Sequence, residues 1–220
     1  MATALKEETW PSKEAGVTTS FQSAEQDPQR WWVSSEAYHA LIEAGAFRGV
    51  RVELVGGEIL QMNAFLPPHV IAQSKTYERL LDALRPRFVV RSEAPLSLAN
   101  GDHPEPDIAV VPGRHDDYAR QHPSTAFLVV EVSDATLSYD RNRKASLYAL
   151  AQIPDYWILN VTQRQLEVRR EPREDTNAPF GFSYGSLQTL SESAFASPLC
   201  APDVSLRVAE LLPLTAITSE

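Results

Sequence analysis

The residues that could do chemistry in this chain are acids placed where acids are expensive. Asp107 follows Pro106 and opens the apolar run Ile108 to Val111, and Glu131 interrupts the run Leu128-Val-Val-Glu-Val-Ser133. A carboxylate inside an apolar strand must be protonated, paired or bound to a cation. Glu131 and Ser133 are two apart and share one face of a strand. Asp140 and Lys144 are four apart and share one face of a helix. Two carboxylates converging from adjacent strands at one sheet edge suit a hard divalent cation, because Mg²⁺ takes one or two carboxylates and keeps several waters. Such an ion polarises a phosphoryl oxygen and lowers the pKa of a bound water. A lysine nearby orients that water or stabilises the charge developing on the phosphate. Together these are the minimum equipment for phosphodiester hydrolysis.

Each residue also has a plainer role. An Asp after Pro is commonly a turn or strand-opening residue. Asp140 with Lys144 reads most simply as a helix cap and an ion pair worth about 0.3–0.5 kcal/mol. Glu53 lies on the Arg51 face of its strand, where water would serve it. His69, after two prolines, would touch only the helix it begins, and His103 and Glu105 fall in a polar loop and default to solvent. The desolvation argument is strongest at Glu131. Other chemistries have less support. Ser133 lacks a His-Asp partnership and a nucleophile elbow, and Gly56-Gly57 lacks the Gly-Lys-Ser/Thr of a phosphate loop. The five histidines include no i,i+4 pair, and the single Cys200 excludes an internal disulfide or a multi-cysteine zinc site.

The elements that must position these groups follow from local pattern. Ser34 or Ser35 caps a short helix ending at Ala44, with Gly45 after it. Arg51 to Val55 and Glu58 to Met62 flank Gly56-Gly57 and read as a hairpin with a primed turn. After Pro67-Pro68, the residues Val70, Ser74, Tyr77, Leu81 and Leu84 repeat at helical spacing and predict an amphipathic helix ending near Pro86. Phe88 to Arg91, Ile108 to Val111 and Phe127 to Val132 read as strands, the last two apolar enough for a buried centre. Asp140 caps a helix to about Gln152, followed by a strand Asp155 to Asn160 and its hairpin partner Gln165 to Arg169. Glu171 to Pro179 reads as a polar loop, the stretch around Phe182 to Leu190 as a further strand or two, and Val208 to Leu212 as a short helix. The order predicts an α/β domain, mixed α+β in detail, with a central mixed β-sheet flanked by helices.

Composition sets the outer bounds. A length of 220 residues with 43% hydrophobic and 22% charged content fits an ordinary globular chain. Residues 1–30 are small and polar and read as a flexible tail, carrying three positive and five negative charges. The net charge of -9 excludes a broadly basic nucleic-acid coat but not a compact site with local cations. No run approaches the ~18 apolar residues of a membrane span. Lys6, Glu7 and Glu8 stand where a signal peptide would be apolar, so a cytoplasmic location is expected.

The chain resembles the Uma2 (DUF820) family of restriction endonuclease-like proteins, within the PD-(D/E)XK nuclease superfamily. The segments that carry the likeness are Arg51-Val-Glu-Leu-Val-Gly-Gly-Glu-Ile-Leu-Gln-Met62, His69, Pro106-Asp-Ile-Ala-Val-Val111, Leu128-Val-Val-Glu-Val-Ser133, Asp140 to Lys144, Tyr148 and Asp155-Tyr-Trp-Ile-Leu159. Their order and spacing together are more specific than any one of them. The likeness spans about residues 34–170, with a weaker tail to about 212, and implies a restriction endonuclease-like core; the domain is read as residues 31–212, with 213–220 as a C-terminal tail. It implies that Asp107 and Glu131 bind Mg²⁺, or Mn²⁺ in its place, with the Val132 backbone carbonyl. Glu53 would support the same or a second ion. The superfamily pattern places Lys where Ser133 stands. Lys144, one helical turn into the next element, is the natural substitute, and the closer family itself has this Glu-x-Ser with a later Lys. Gln73 is an accessory polar candidate on the first long helix.

The expected activity is therefore a Mg²⁺-dependent endonuclease acting on phosphodiester bonds in DNA. The alternatives are a catalytically inactive nuclease-fold binding or accessory module, and an interaction protein using the tail and the Trp31-Trp32 pair. Lys75, Arg79, Arg85, Arg87 and Arg91 form one local cationic group that could follow a phosphate backbone. Arg164, Arg169, Arg170 and Arg173 form another. A two-fold dimer is a reasonable arrangement, since cutting a duplex needs two active sites.

Overall fold

The computed structural model describes residues 31–62 and 64–214. The stretch expected as an N-terminal tail lies outside the described residues, as does most of the C-terminal one.

The Ser34 hydroxyl accepts a hydrogen bond from the Ala37 N–H at 3.2 Å and starts α1 (Ser35–Glu43). The next two elements, β1 (Val52–Val55) and β2 (Glu58–Gln61), form a separate antiparallel hairpin. Gly56 and Gly57 join them at φ of 58° and 69°, both positive, as a primed two-residue turn requires. A Cβ on Gly56 would stand 2.6 Å from the Phe180 ring, so the turn is held by space as well as by backbone freedom.

Pro67 and Pro68 open α2 (Pro67–Leu84), where a missing N–H costs nothing. Its buried face is His69, Ala72, Gln73, Thr76, Leu80 and Leu84, while Val70 is 44% exposed. The apolar spacing points about one residue further round. Three members of the true face are polar, and each is accommodated locally. Thr76 donates to the Ala72 carbonyl at 2.7 Å, Gln73 donates to Ser92 at 3.1 Å, and His69 faces Asp107.

The main sheet contains β3 (Val89–Ser92), β4 (Ile108–Val111), β5 (Leu128–Ser133), β6 (Asp155–Asn160), β7 (Gln165–Glu174) and β8 (Phe182–Ser191), in that spatial order. Every neighbouring pair is antiparallel except β5–β6. That parallel pair needs a crossover. It is made by α3 (Leu137–Tyr139), a π-helical turn over Asp140–Lys144, and α4 (Ala145–Leu150). Asp140 is thus no helix cap: Thr136 precedes the first turn, and Asp140 lies inside the crossover, 4% exposed. The polar loop expected from Glu171 also begins later. The β7–β8 ladder continues through Pro172, Arg173 and Glu174, because each strand satisfies the other's backbone whatever the side chains. The chain closes with β9 (Phe195–Ala196), β10 (Leu206–Arg207) and α5 (Val208–Leu211).

The central strands β4, β5 and β6 are buried on both faces, while β8 is largely half-buried or exposed. Val90, Ile108, Val110, Leu128, Val130 and Val132 belong to one apolar cluster with Ala72, Leu80 and Leu84 of α2. Val89, Ala109, Val111 and Val129 belong to the other, with Leu147 and Tyr148 of α4. Strand alternation then places Glu131 and Ser133 on the Val129 face, under the crossover. Among the described residues, no helix is long and apolar enough to cross a membrane.

Candidate active site

The register of β4 against β5 sets Ile108 opposite Val130, which brings Asp107 opposite Glu131 at the strand end. The two are bonded crosswise. The Asp107 N–H donates to Glu131 Oε2 at 3.3 Å, and the Val132 N–H donates to Asp107 Oδ2 at 2.7 Å. With Oδ2 anchored by the backbone, Oδ1 is the oxygen left for other partners. His69 Nε2 lies 3.4 Å from it, near enough for an ion pair but without hydrogen-bond alignment, so this buried ring nitrogen has no hydrogen bond. The His69 ring stacks on Phe65 at 4.3 Å. Burial pulls its pKa down, but the Asp107 carboxylate outweighs that and holds it above the ordinary histidine value.

The crossover supplies the lysine. A π-helical turn is wider than an α-helical one and often marks a functional position. Here Asp140 and Lys144 both turn inward, 4% and 2% exposed. Lys144 Nζ donates to Glu131 Oε1 at 3.0 Å and lies 2.9 Å from Glu53 Oε2. It does not form the exposed ion pair with Asp140 that spacing alone suggests. Burial opposes the charge on Lys144, but Glu131 and Glu53 more than offset it and hold its pKa well above the usual value. Tyr148, one α-helical step beyond Lys144, donates to Glu131 Oε1 at 2.7 Å. Burial pushes the Glu131 carboxyl up; Lys144 pulls against this, and the charges of Asp107 and Asp140 push further. Asp140 is likewise raised, first by burial, though its Oδ2 accepts from Thr136 at 2.6 Å. Ser133 Oγ is buried beside Asp140 without a well-formed hydrogen bond.

The hairpin brings Glu53, which is 1% exposed and not solvated as its strand face suggested. It accepts from the Glu105 N–H at 3.2 Å and from the Tyr139 hydroxyl at 3.4 Å. Glu105 in turn pairs with Arg51. Glu105 and His103 are therefore parts of the packed structure, not solvent-facing loop residues, and His103 is 6% exposed.

Glu53, His69, Asp107, Glu131, Val132, Asp140 and Lys144 all border one cavity of about 640 Å³. Its outer wall is Leu60, Met62, Phe65 and Leu66. A family model described as "Putative restriction endonuclease" matches residues 35–209, most of the chain. The chain belongs to the Uma2 family. The fold is also similar to a crystal structure described as "a putative nuclease belonging to DUF820 from Anabaena variabilis ATCC 29413". The TM-score is 0.62 at 13% identity, over 81% of this chain and 97% of that one. No curated protein matches.

The cationic candidates of this Uma2 chain lie apart from the cavity, and among the described residues all but Arg85 and Arg173 have partners of their own. Lys75 donates to the Leu212 carbonyl, Arg79 pairs with Glu210, Arg87 pairs with Asp203, and Arg91 meets His122. In the second group, Arg164 pairs with Glu192, Arg169 with Glu167, and Arg170 with Asp155. Gln73 is held by Ser92 and borders a different hollow. Sequence reasoning missed the Tyr139 and Tyr148 hydroxyls. The signal for Tyr148 was its i,i+4 spacing from Lys144; Tyr139 offered none.

Proposed function

We propose that this chain is a Mg²⁺-dependent endonuclease that hydrolyses phosphodiester bonds in DNA. The observation that carries the reading is the crosswise pair: Asp107 and Glu131 face each other across two strands, with Asp107 Oδ1 left unbonded beside the cavity. Among the described residues, no three His, Cys, Asp or Glu side chains stand as close as the ligands of one ion. Mg²⁺ does not require three, since it accepts one or two carboxylates and fills its shell with water. The fit rests on one buried nitrogen without a hydrogen bond, His69 Nε2, beside Asp107 Oδ1 and next to a set of hard oxygens. Asp107 and Glu131 would hold the ion with the Val132 carbonyl, Glu53 would stand behind them, and the imidazole beside Asp107 suits Mn²⁺ as well. Bound there, the ion would supply Lewis acidity and a more acidic water.

The protein's own groups do the rest. Lys144 is a fixed positive charge at the cavity floor, kept protonated by two carboxylates, where it stabilises charge on a phosphate. Tyr148 and Lys144 together fix Glu131 Oε1 and leave Oε2 on the Asp107 side. The Val132 N–H fixes the rotamer of Asp107. Phe65 and Leu66 give the cavity an apolar side.

The test is cleavage of plasmid and linear duplex with Mg²⁺ or Mn²⁺. Asp107→Ala and Glu131→Ala should each abolish metal-dependent cleavage, with circular dichroism unchanged. Cleavage that survives both changes in one chain removes this reading. The competing reading, a non-catalytic module on the same fold, is favoured by one observation: Lys144 is bonded to both Glu53 and Glu131, two of the acids that would serve the ion. Calorimetric titration separates the two, because no heat at millimolar Mg²⁺ supports the module.

A further inference from the structure

A second cavity, of about 680 Å³, shares no lining residue with the site above. Ser35, His39, Ser97, His103, Arg120 and His122 border it. It gathers three of the five histidines of the chain, and no Asp or Glu lines it. On a protein of net charge -9, a hollow without carboxylates is a local reversal of sign.

The arrangement is built around His103. Its ring stacks on Tyr38 at 5.8 Å, and His39 meets it edge-on at 4.6 Å. Each ring nitrogen has a serine: Ser35 Oγ is 2.6 Å from Nε2, and Ser97 Oγ is 3.2 Å from Nδ1. His122 Nδ1 lies 3.2 Å from the Arg91 guanidinium, which itself sits over the Tyr118 ring. The charges that act on His103 and His122 are cationic, while the exposed Glu36, one helical turn away, acts on His39. Burial lowers the pKa of His103, and His39 and His122 lower it further. Burial lowers that of His122, and Arg91 and His39 add to it. Among the described residues, His103 and His122 thus lack an anion that their surroundings would favour.

We infer that this cavity is a second binding site, for a phosphate group. The chemistry of His103 provides the donors. A neutral imidazole donates from one nitrogen and accepts at the other, so one of its two serine hydroxyls must donate to it. A protonated imidazole donates from both, and that serine then turns its O–H away from the ring and toward the cavity. An arriving phosphate would favour the protonated His103 ring and would meet a serine hydroxyl, His39, Arg120 and the Nε2–H that His122 keeps while its Nδ1 accepts from Arg91. Charge-assisted hydrogen bonds of this kind are the stronger class. The inference does not depend on cleavage at Asp107.

The phosphate has two sources, a free phosphate monoester or the backbone of a bound strand, and the probes distinguish them. Histidine side-chain NMR on the full chain would be followed during titration with inorganic phosphate, and separately with a short single-stranded oligonucleotide without a terminal phosphate, both in EDTA to prevent cleavage. Shifts of His39, His103 and His122 should appear with at least one probe, and more strongly at pH 6 than at pH 8. A response to phosphate alone assigns the monoester, and a response to the oligonucleotide assigns the strand. His122→Gln and Arg120→Gln, both at exposed positions, should each weaken the effective probe by about tenfold, as removal of one charge-assisted hydrogen bond implies. If neither probe moves these histidines at pH 6, or both variants bind as the parent does, the inference is overturned. Metal-dependent cleavage measured on the same samples reports separately on Asp107 and Glu131.

Discussion

Lys144 is the residue on which the electrostatics of the site turn. Two carboxylates, Glu53 and Glu131, stand 2.9 and 3.0 Å from one buried ammonium. Removing one partner of a buried charge network leaves the others unpaired, which costs about 3–5 kcal/mol where it has been measured. Lys144→Ala should therefore lower stability by roughly that amount in urea melts. It should do so more than Tyr148→Phe, which removes a single hydrogen bond worth about 1 kcal/mol. If the two acids are ligands, millimolar Mg²⁺ should return part of the stability of Lys144→Ala, since a cation replaces the missing one. A Lys144→Ala chain as stable as the parent would show that the pair contributes nothing.

The elements explain what holds the lysine in place. The π-helical turn has no ladder of its own to the sheet, and Glu167 of β7 ties it down. Its carboxylate accepts from Arg141 at 2.7 Å and from Arg169 at 2.8 Å, with Glu167 3% exposed. Burial would raise the Glu167 pKa, but the two guanidinium groups outweigh it and hold it below the ordinary 4.5. A carboxyl depressed in the folded state contributes stability above its unfolded pKa and loses it as pH falls through the folded one. The parent should thus lose stability below about pH 4.5 along a limb that Glu167→Gln flattens, as thermal melts across that range would record. An identical acid limb in both chains would show that the clamp is not formed in solution.

These elements are unequally legible in the sequence. The β4 and β5 runs are plain, because an acid in an apolar strand stands out against its neighbours, and so Asp107 and Glu131 can be found. The hairpin is equally plain from Gly56-Gly57. The π-helical turn is not, since its residues satisfy an ordinary helical pattern. The face of α2 is misjudged from spacing because polar His69, Gln73 and Thr76 are buried, the first two against partners far along the chain. Glu53 reads as solvated because its charge partner, Lys144, is 91 residues away and reaches it only through the crossover.

At the scale of the molecule, the net charge of -9 and the partnered cations predict weak binding of DNA in EDTA. Affinity should rise when Ca²⁺ is added, since a bound cation offsets the acids at the site. The pairs Arg79–Glu210 and Arg87–Asp203 are exposed, and such pairs contribute little, so either arginine can be surrendered to a phosphate at small cost. If α2 flanks the strand, Arg79→Ala with Arg87→Ala should flatten the log–log salt dependence of binding by about 0.9 for each phosphate no longer neutralised. An unchanged slope places the strand elsewhere.

The hairpin is a two-stranded sheet of its own, joined to the rest by side chains and by the paired backbone bonds of Leu54 with His103. It therefore has a route to local opening that the six-stranded sheet lacks. In native-state hydrogen exchange its amides should exchange through a smaller opening free energy than those of β5. During each such opening Glu53 would withdraw while Asp107 and Glu131 stayed in register. The third acid would then be a visitor to the site, present for a fraction of the time set by how firmly Lys144 holds it.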